Sequence, residues 1–383
     1  MSGTLRFTYI GLDNWRNFVH IGVDLQRRVF LVGPNASGKS NLLDVFRFLH
    51  DIVSVGGGLQ AAAGSRRGGV SRLRALAARR YPDISLRVNV GDDANTAEWE
   101  YELRFTQDNR SRPQITHERV VKSGTEIFVR PNEQDARDPE RLTQTYLEQV
   151  NVNQEYRALT AFLGSVQYRH VVPQLIREPD RSVGIHNDPF GGDFLEQIAR
   201  TTPRTREARL SKMRVALRIA VPQLKDLEIA RTERGIPHLR GKYEHWRPRG
   251  AWQTEDQFSD GTLRLIGLLW AVLDGSGPLL LEEPELSLHP EVVRFIPQMF
   301  ARIQRRSGRQ ILVSTHSADL LKDEGIGLDE VLVLIPEAEG TSVRSADTFR
   351  EIKALLQGGV SLAEAILPRT RPERASQLTL FGG

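Results

Sequence analysis

Gly33-Pro34-Asn35-Ala36-Ser37-Gly38-Lys39-Ser40 is the stretch on which the fold turns. It fits the pattern G-x-x-x-x-G-K-[ST] at every fixed position. Its glycines let the backbone curl so that N–H groups face phosphate oxygens. The helix that opens near Lys39 adds the positive end of its dipole. Lys39 supplies a point charge for terminal phosphates, and the Ser40 hydroxyl suits Mg²⁺. Asn35, Ala36, Ser37 and Asn41 complete the expected contact set. A chance glycine turn is the alternative. The flanks argue against it: Val29 to Val32 is a compact apolar run, and the helix expected from about Lys39 to Val53 carries Leu42, Leu43, Val45, Phe46 and Leu49.

Working outward, Leu5–Gly11 and Phe18–Leu25 read as strands paired around Asp13-Asn14-Trp15. Gly56 to Gly69 is rich in glycine and alanine and is expected to be a mobile loop. Ile84–Val90, Trp99–Thr106 and Gln114–Val121 alternate as an antiparallel flank would. Glu133–Asn153 is polar, Tyr156–Leu163 fits a short helix, and Ser182–Gly192 fits a loop. Phe194–Val221 reads as a helical insertion with a basic face, and Gly250–Phe258 as a connector. A helix Thr262–Leu273, strand Leu279–Glu282, helix Pro290–Arg306, strand Ile311–Ser314 and strand Val331–Ile335 follow. This return to alternating units points to a second half of one α/β sheet. The expected division is residues 1–90, a middle lobe 91–250, a second half 251–367 and a flexible tail 368–383.

Composition sets the outer limits. The 383 residues are 39% hydrophobic and 26% charged, as in a globular protein long enough to bury a sizeable core. Cysteine is absent, which excludes disulfides, a cysteine zinc site and a thiol nucleophile, and fits a reducing cytoplasm. The longest near-continuous apolar run, Leu265 to Leu273, falls short of the roughly 20 residues that span a bilayer. Met1 to Leu12 lacks a signal pattern. A cytoplasmic protein without a membrane segment is expected.

Three further segments carry chemistry. Leu279-Leu280-Leu281-Glu282-Glu283-Pro284-Glu285 is an apolar strand that ends in carboxylates. Beside a phosphate loop, Glu282 would hold Mg²⁺ through a water and Glu283 would polarise an attacking water. A solvated acidic turn is the plainer alternative. Ser314-Thr315-His316-Ser317 ends the next strand, where His316 would sit by the terminal phosphate as donor or sensor. Phe258-Ser259-Asp260-Gly261-Thr262 precedes a helix and offers a hydroxyl and N–H groups to a phosphate. By itself this is an ordinary N-cap.

The order of these four elements resembles ABC-type P-loop ATPases, particularly the SMC, RecF-like and OLD-like branch. The run from Glu282 to Pro290 is most similar to the OLD-like group. Asn14-Trp15-Arg16-Asn17-Phe18 is similar to that branch's N-terminal turn, which makes Arg16 a candidate near adenine or phosphates. The resemblance implies an ABC-type head with a mixed sheet, an antiparallel β flank and a short helical insertion. It implies ATP and Mg²⁺, hydrolysis with Lys39, Glu283 and His316 as catalytic residues, and Ser259, Asp260 and Gly261 acting across a homodimer or higher oligomer. Two departures stand out: Asp260 and Thr262 replace the glycine and glutamine of the usual signature, and Glu282 replaces the usual aspartate. Gln174 is the candidate for the family's metal-linked glutamine, with Gln167 as its rival. About 220 residues separate Lys39 from Ser259, too few for a long coiled-coil arm.

Partners are read from charge and from the tail. Arg66, Arg67, Arg72, Arg74, Arg79 and Arg80 form one basic stretch. Arg204, Arg206, Arg209, Lys212, Arg214 and Arg218 form another. Either could meet DNA, or an acidic protein surface. Gln377-Leu378-Thr379-Leu380-Phe381 resembles the peptide that docks on the bacterial sliding clamp. The chain has no D-x-D pair of a TOPRIM nuclease. The expected role is the ATPase subunit of an anti-phage defence system with a separate nuclease or effector. The alternative is a RecF-like DNA repair ATPase that binds DNA and the clamp.

Overall fold

Alternating burial along the first third of the chain dictates a sheet. In the computed structural model, which describes residues 4–64, 67–78, 82–178, 188–244, 251–370 and 377, the strands run in chain order as follows. They are β1 Arg6–Trp15, β2 Phe18–Asp24, β3 Arg28–Val32, β4 Ile84–Gly91, β5 Trp99–Gln107, β6 Pro113–Lys122 and β7 Thr125–Arg130. Then come β8 Gln167–Arg169, β9 Leu224–Arg231, β10 Pro237–Tyr243, β11 Ala251–Thr254, β12 Leu279–Glu282, β13 Ile311–Thr315, β14 Val331–Glu337 and β15 Gly340–Ser345.

They make an antiparallel sheet β2-β1-β4-β5-β6-β7, a three-stranded sheet β11-β10-β9, and a mixed sheet β15-β14-β3-β13-β12-β8. In β4 every second residue, Ile84, Leu86, Val88 and Val90, is buried, the period of a two-faced strand. All five residues of β3 are buried, as befits a strand covered on both faces. The strands β13 and β14 lie parallel on either side of β3. The first hairpin turns more tightly than its sequence indicated: Trp15 pairs with Phe18, so Arg16 and Asn17 alone make the turn.

The chain divides into two compact units. One comprises Met1–Gln167, Ser276–Leu280 and Phe300–Gly383, and the other Tyr168–Gly275 and Leu281–Met299. The β flank therefore shares a unit with the phosphate loop, where the sequence grouped it with the helical insertion. The physical reason is β1, which pairs with β2 on one edge and β4 on the other. The insertion is two helices, Phe194–Arg200 and Pro203–Ala220. The break falls at Pro203, which lacks an N–H and so starts a helix more readily than it continues one. Leu210, Met213 and Leu217 pack with Leu263, Ile266, Leu269 and Trp270 in the second unit's core. The expected helix Pro290–Arg306 is likewise two pieces, Pro290–Val293 and Ile296–Ser307. Among the described residues no helix is long and apolar enough to cross a membrane. Leu378 to Phe381 of the tail peptide, and Arg66, Arg79 and Arg80, lie outside the described residues.

Helix α1, Lys39–Val53, is the core of the first unit. Its Phe46 meets Phe7 of β1 at 4.7 Å between ring centroids, and its Phe48 stacks on Phe105 of β5 at 5.7 Å. The described part of the glycine- and alanine-rich segment after it is largely helical, where the sequence pointed to a mobile loop. It forms α2, Leu59–Gly64, and α3, Val70–Leu73, with Leu59, Ala62, Ala63, Val70 and Leu73 buried. Small residues here serve close packing. Gly58, at φ 99, leaves room for the Glu148 carboxylate, which accepts from the Leu59 N–H at 2.9 Å.

Arg67 fastens this segment to α1. Its side chain is 2% exposed and pairs with Asp44 at 2.7 Å and Asp51 at 2.9 Å, with its guanidinium 5.2 Å from the Phe48 ring centre. Burial alone would raise the Asp44 carboxyl. The Arg67 and Arg16 guanidinium groups outweigh it and hold the group below the usual carboxylate range. Arg67 is thus an internal strut, unavailable to DNA. Removing one partner of such a pair strands the other's charge in a poorly hydrated site. Arg67→Ala is expected to cost about 3 kcal/mol of unfolding free energy at pH 7, measured by urea denaturation. Because the acids' pKa is depressed on folding, the wild type's share of this stability is present at neutral pH and fades as pH falls through the depressed value. The gap between wild type and variant should therefore shrink in acid.

Candidate functional site

The phosphate loop spans the end of β3 and the start of α1. Gly33 is required by close approach: a Cβ there would lie 2.5 Å from Ser37 Oγ and 2.8 Å from the Leu334 carbonyl oxygen of β14. Ala36 and Gly38 take left-handed backbone, at φ 63 and 96, which curls the loop. Lys39 is buried, and its Nζ donates to the carbonyl oxygens of Gly33 and Pro34, both at 3.0 Å. The ammonium thus closes the loop on itself. Ser37 Oγ is buried without a hydrogen-bond partner, a polar atom that a phosphate oxygen could satisfy. Asn35, Ala36 and Ser40 are exposed, while Pro34 and Asn41 are half-buried.

His316 belongs to the same edge. In the parallel register Thr315 stands beside Val32, so the next residues along the two strands are His316 and Gly33. The carboxyl edge of a parallel sheet is where such folds bind ligands. His316 is exposed there. Arg16, at φ 51, donates from Nη2 to Asp44 Oδ2 of α1 at 2.8 Å. That carboxylate also holds Arg67, a link absent from the sequence pattern.

In the second unit the structure gathers the remaining candidates around the helix Asp260–Leu273. Ser259 caps it, accepting from the Thr262 N–H at 3.1 Å. Gly261 lies against the chain after the acidic strand: a Cβ would sit 2.4 Å from the Ser287 carbonyl oxygen. Asp260 is paired with Arg177, Oδ1 to Nη2 at 2.6 Å, and the same Nη2 donates to the Phe258 carbonyl at 2.7 Å. An acid at this position is therefore neutralised locally. Gln174 lies beside the same carboxylate, its Nε2 3.5 Å from Asp260 Oδ2. Its rival Gln167, in the first unit, accepts from Arg309 Nη2 at 2.7 Å.

Glu282 accepts a hydrogen bond from the Tyr168 hydroxyl. Glu283 is in left-handed backbone at φ 43, an uncommon conformation for glutamate that costs energy and tends to mark functional turns. Arg264, on the helix after the signature turn, feels Asp260, Glu283 and Glu285. Burial pushes its pKa down against their pull. Arg169, Arg264 and Glu282 line one small cavity. Tyr168 and Arg177 were missed as neighbours of the expected site, because nothing in sequence spacing pairs Tyr168 with Glu282 or Arg177 with Asp260, each more than 80 residues away. Arg264 was passed over although it lies one helical turn after Asp260.

The basic stretches fare differently. Arg209 pairs with Asp274, and Arg214 with Glu207 and Asp226. Arg206 and Arg218 donate to the backbone carbonyls of Ala199 and Lys225. Arg204 and Lys212 are exposed. Much of this charge stabilises the fold, which weakens the electrostatic case for DNA.

The mixed sheet, its glycine loop before α1 and the antiparallel flank make the α/β fold of an ABC-type P-loop ATPase head. The model of the family described as "AAA domain, putative AbiEii toxin, Type IV TA system" matches residues 28–322, and the chain belongs to that family. Among solved structures, the SMC head bound to the C-winged helix domain of ScpA is 12% identical, covers 88% of this chain and 96% of that chain, and has a TM-score of 0.52. The Pyrococcus furiosus SMC head with an extended coiled coil, bound to the C-terminal domain of ScpA, is 11% identical over 92% and 100%, with a TM-score of 0.54. The Pyrococcus yayanosii SMC head with a coiled coil and joint is 11% identical over 93% and 100%, with a TM-score of 0.51. At these identities the likeness is one of fold. No curated protein matches the sequence.

The Arg177–Asp260 pair is partly exposed, so its worth is modest. Arg177→Ala is expected to lower unfolding free energy by about 1 kcal/mol. Asp260→Asn in that background should recover only the part of the loss due to the uncompensated charge, since the bond from Arg177 to the Phe258 carbonyl stays lost. Denaturant titration of the two singles and the double completes the cycle. Additive losses would show that the pair is uncoupled.

Proposed function

We infer that the chain binds ATP on the loop Gly33–Ser40 and hydrolyses it as a nucleotide-driven dimer. The observation that carries the reading is the Lys39 ammonium, buried and held by two carbonyls of its own loop, with Ser37 Oγ unsatisfied beside it. A triphosphate offers oxygens that would take over the ammonium and accept from the curled backbone. The helix dipole of α1 and the Lys39 charge favour the same anion.

Mg²⁺ is the ion expected with ATP, the Ser40 hydroxyl and the Glu282 carboxylate are the oxygen ligands expected for it, and it would supply charge neutralisation on the phosphates. This ion keeps several waters and needs few protein ligands. Gln174, engaged at the signature turn, is the weaker member of the expected set. Glu283 would accept a proton from the attacking water, and His316 would donate to the terminal phosphate. Ser259, Asp260 and Gly261 would complete the site of a second copy, with Arg177 cancelling the charge of Asp260. Closure on nucleotide would then pass to a separate effector protein. The family's description as a putative toxin of a type IV toxin–antitoxin system supports a defence role for that assembly.

Lys39→Ala is expected to abolish ATP binding in calorimetric titration. Glu283→Gln should still bind ATP but hydrolyse it at least about a hundredfold more slowly, and should accumulate as an ATP-bound dimer in sedimentation. Equal turnover in wild type and Glu283→Gln would remove Glu283 as the base. A wild type that ignores ATP would end the reading altogether.

A further inference from the structure

The turn Trp15-Arg16-Asn17 grips the phosphate loop and α1 at successive points. Trp15 Nε1 donates to the Asn41 carbonyl at 3.0 Å, and Arg16 pairs with Asp44. Asn17 does most. Its Nδ2 donates to the Ser37 carbonyl and to Thr341 Oγ1, both at 2.9 Å, and its Oδ1 accepts from Asn41 Nδ2 at 2.7 Å. Both amide hydrogens and the amide oxygen are in use. The reversed amide would set an oxygen against the Ser37 carbonyl, so only one orientation fits. The backbone of Asn17 is held as well: its carbonyl accepts from the Thr341 N–H at 2.8 Å.

We propose that Asn17 is a positioning residue for the nucleotide phosphates, setting the curvature of the loop through Ser37 and Asn41. The proposal rests on the reading of this loop as the ATP site. The peptide unit explains how it works. Carbonyl and N–H of one trans peptide point opposite ways. Fixing the Ser37 oxygen toward Asn17 therefore turns the Gly38 N–H to the other side. Gly38 holds the left-handed conformation this needs, and its missing Cβ is what lets Asn17 approach: a Cβ would lie 2.2 Å from Asn17 Nδ2. The loop thus meets a phosphate with a donor already aimed, and no binding energy is spent on ordering it. Thr341, at the start of β15, orients the amide and carries a smaller share.

The test uses the full chain with ATP as the probe, following Kd by calorimetry, kcat and KM by phosphate release, and thermal unfolding. Asn17→Ala should raise Kd and KM by about tenfold, the loss expected from one or two such hydrogen bonds, with kcat within about twofold. Asn17→Asp, the same size, should bind at least as weakly, since it faces the Ser37 carbonyl with oxygen. Thr341→Val should weaken binding about two- to threefold, and Asn17→Ala/Thr341→Val no more than Asn17→Ala alone. If Asn17→Ala does not fold, the isosteric Asn17→Asp and Thr341→Val decide the matter. Asn17 variants that melt earlier yet bind ATP as wild type does, while Lys39→Ala loses binding, would overturn the proposal alone. If Lys39→Ala also binds normally, the reading beneath it fails.

Discussion

A glycine loop bent into left-handed backbone and tied off from two sides is the constraint on which this structure depends. Lys39 ties it from within, through the carbonyls of Gly33 and Pro34. Asn17 ties it from without, through Ser37. Such a loop is costly unless its surroundings hold it, and the surroundings are built accordingly. The β3 strand beneath is buried throughout, β14 crowds Gly33 so that no side chain fits, and α1 is pinned by aromatic rings from β1 and β5. The antiparallel flank, which looks peripheral in sequence, is the wall against which the phosphate-loop helix is packed.

Several of the arginines that stand out in the sequence are engaged within the fold. Asp44 serves Arg16 and Arg67 together, joining the first hairpin, α1 and the α2–α3 segment in one buried cluster. Asp260 and Arg177 do a smaller version of the same work at the signature turn. An arginine-rich composition therefore says little about DNA until the partners of each arginine are known. The Asp44 cluster is mostly buried and the Arg177–Asp260 pair partly exposed, and both sit beside residues expected to meet nucleotide.

What the sequence revealed, and what it hid, follows from the range of the forces. The strand–turn–helix around Lys39 was legible because it is local: an apolar run, two glycines and an amphipathic helix within 25 residues. His316 was legible because a buried strand pattern ends just before it. The packing of Gly56–Gly69 was not, since small residues read alike in a flexible loop and in a tight one. Arg67 was misread for want of its partners. Asp44 and Asp51 share a face of α1 with Ser40, Asn41 and Arg47, which reads as a solvated polar stripe, and only tertiary structure brings Arg67 to them. The left-handed backbone of Glu283 and the Arg177–Asp260 pair arise from tertiary packing alone, and no spacing rule finds them.

The most direct measurement is hydrogen–deuterium exchange of the full chain with and without Mg·ATP, read on peptides that cover residues 28–53. If the loop receives the triphosphate, amides from Gly33 to Asn41 gain protection at saturating nucleotide, and Lys39→Ala removes the effect. Unchanged exchange across this segment in wild type, with ATP in excess, would contradict the assignment of the loop.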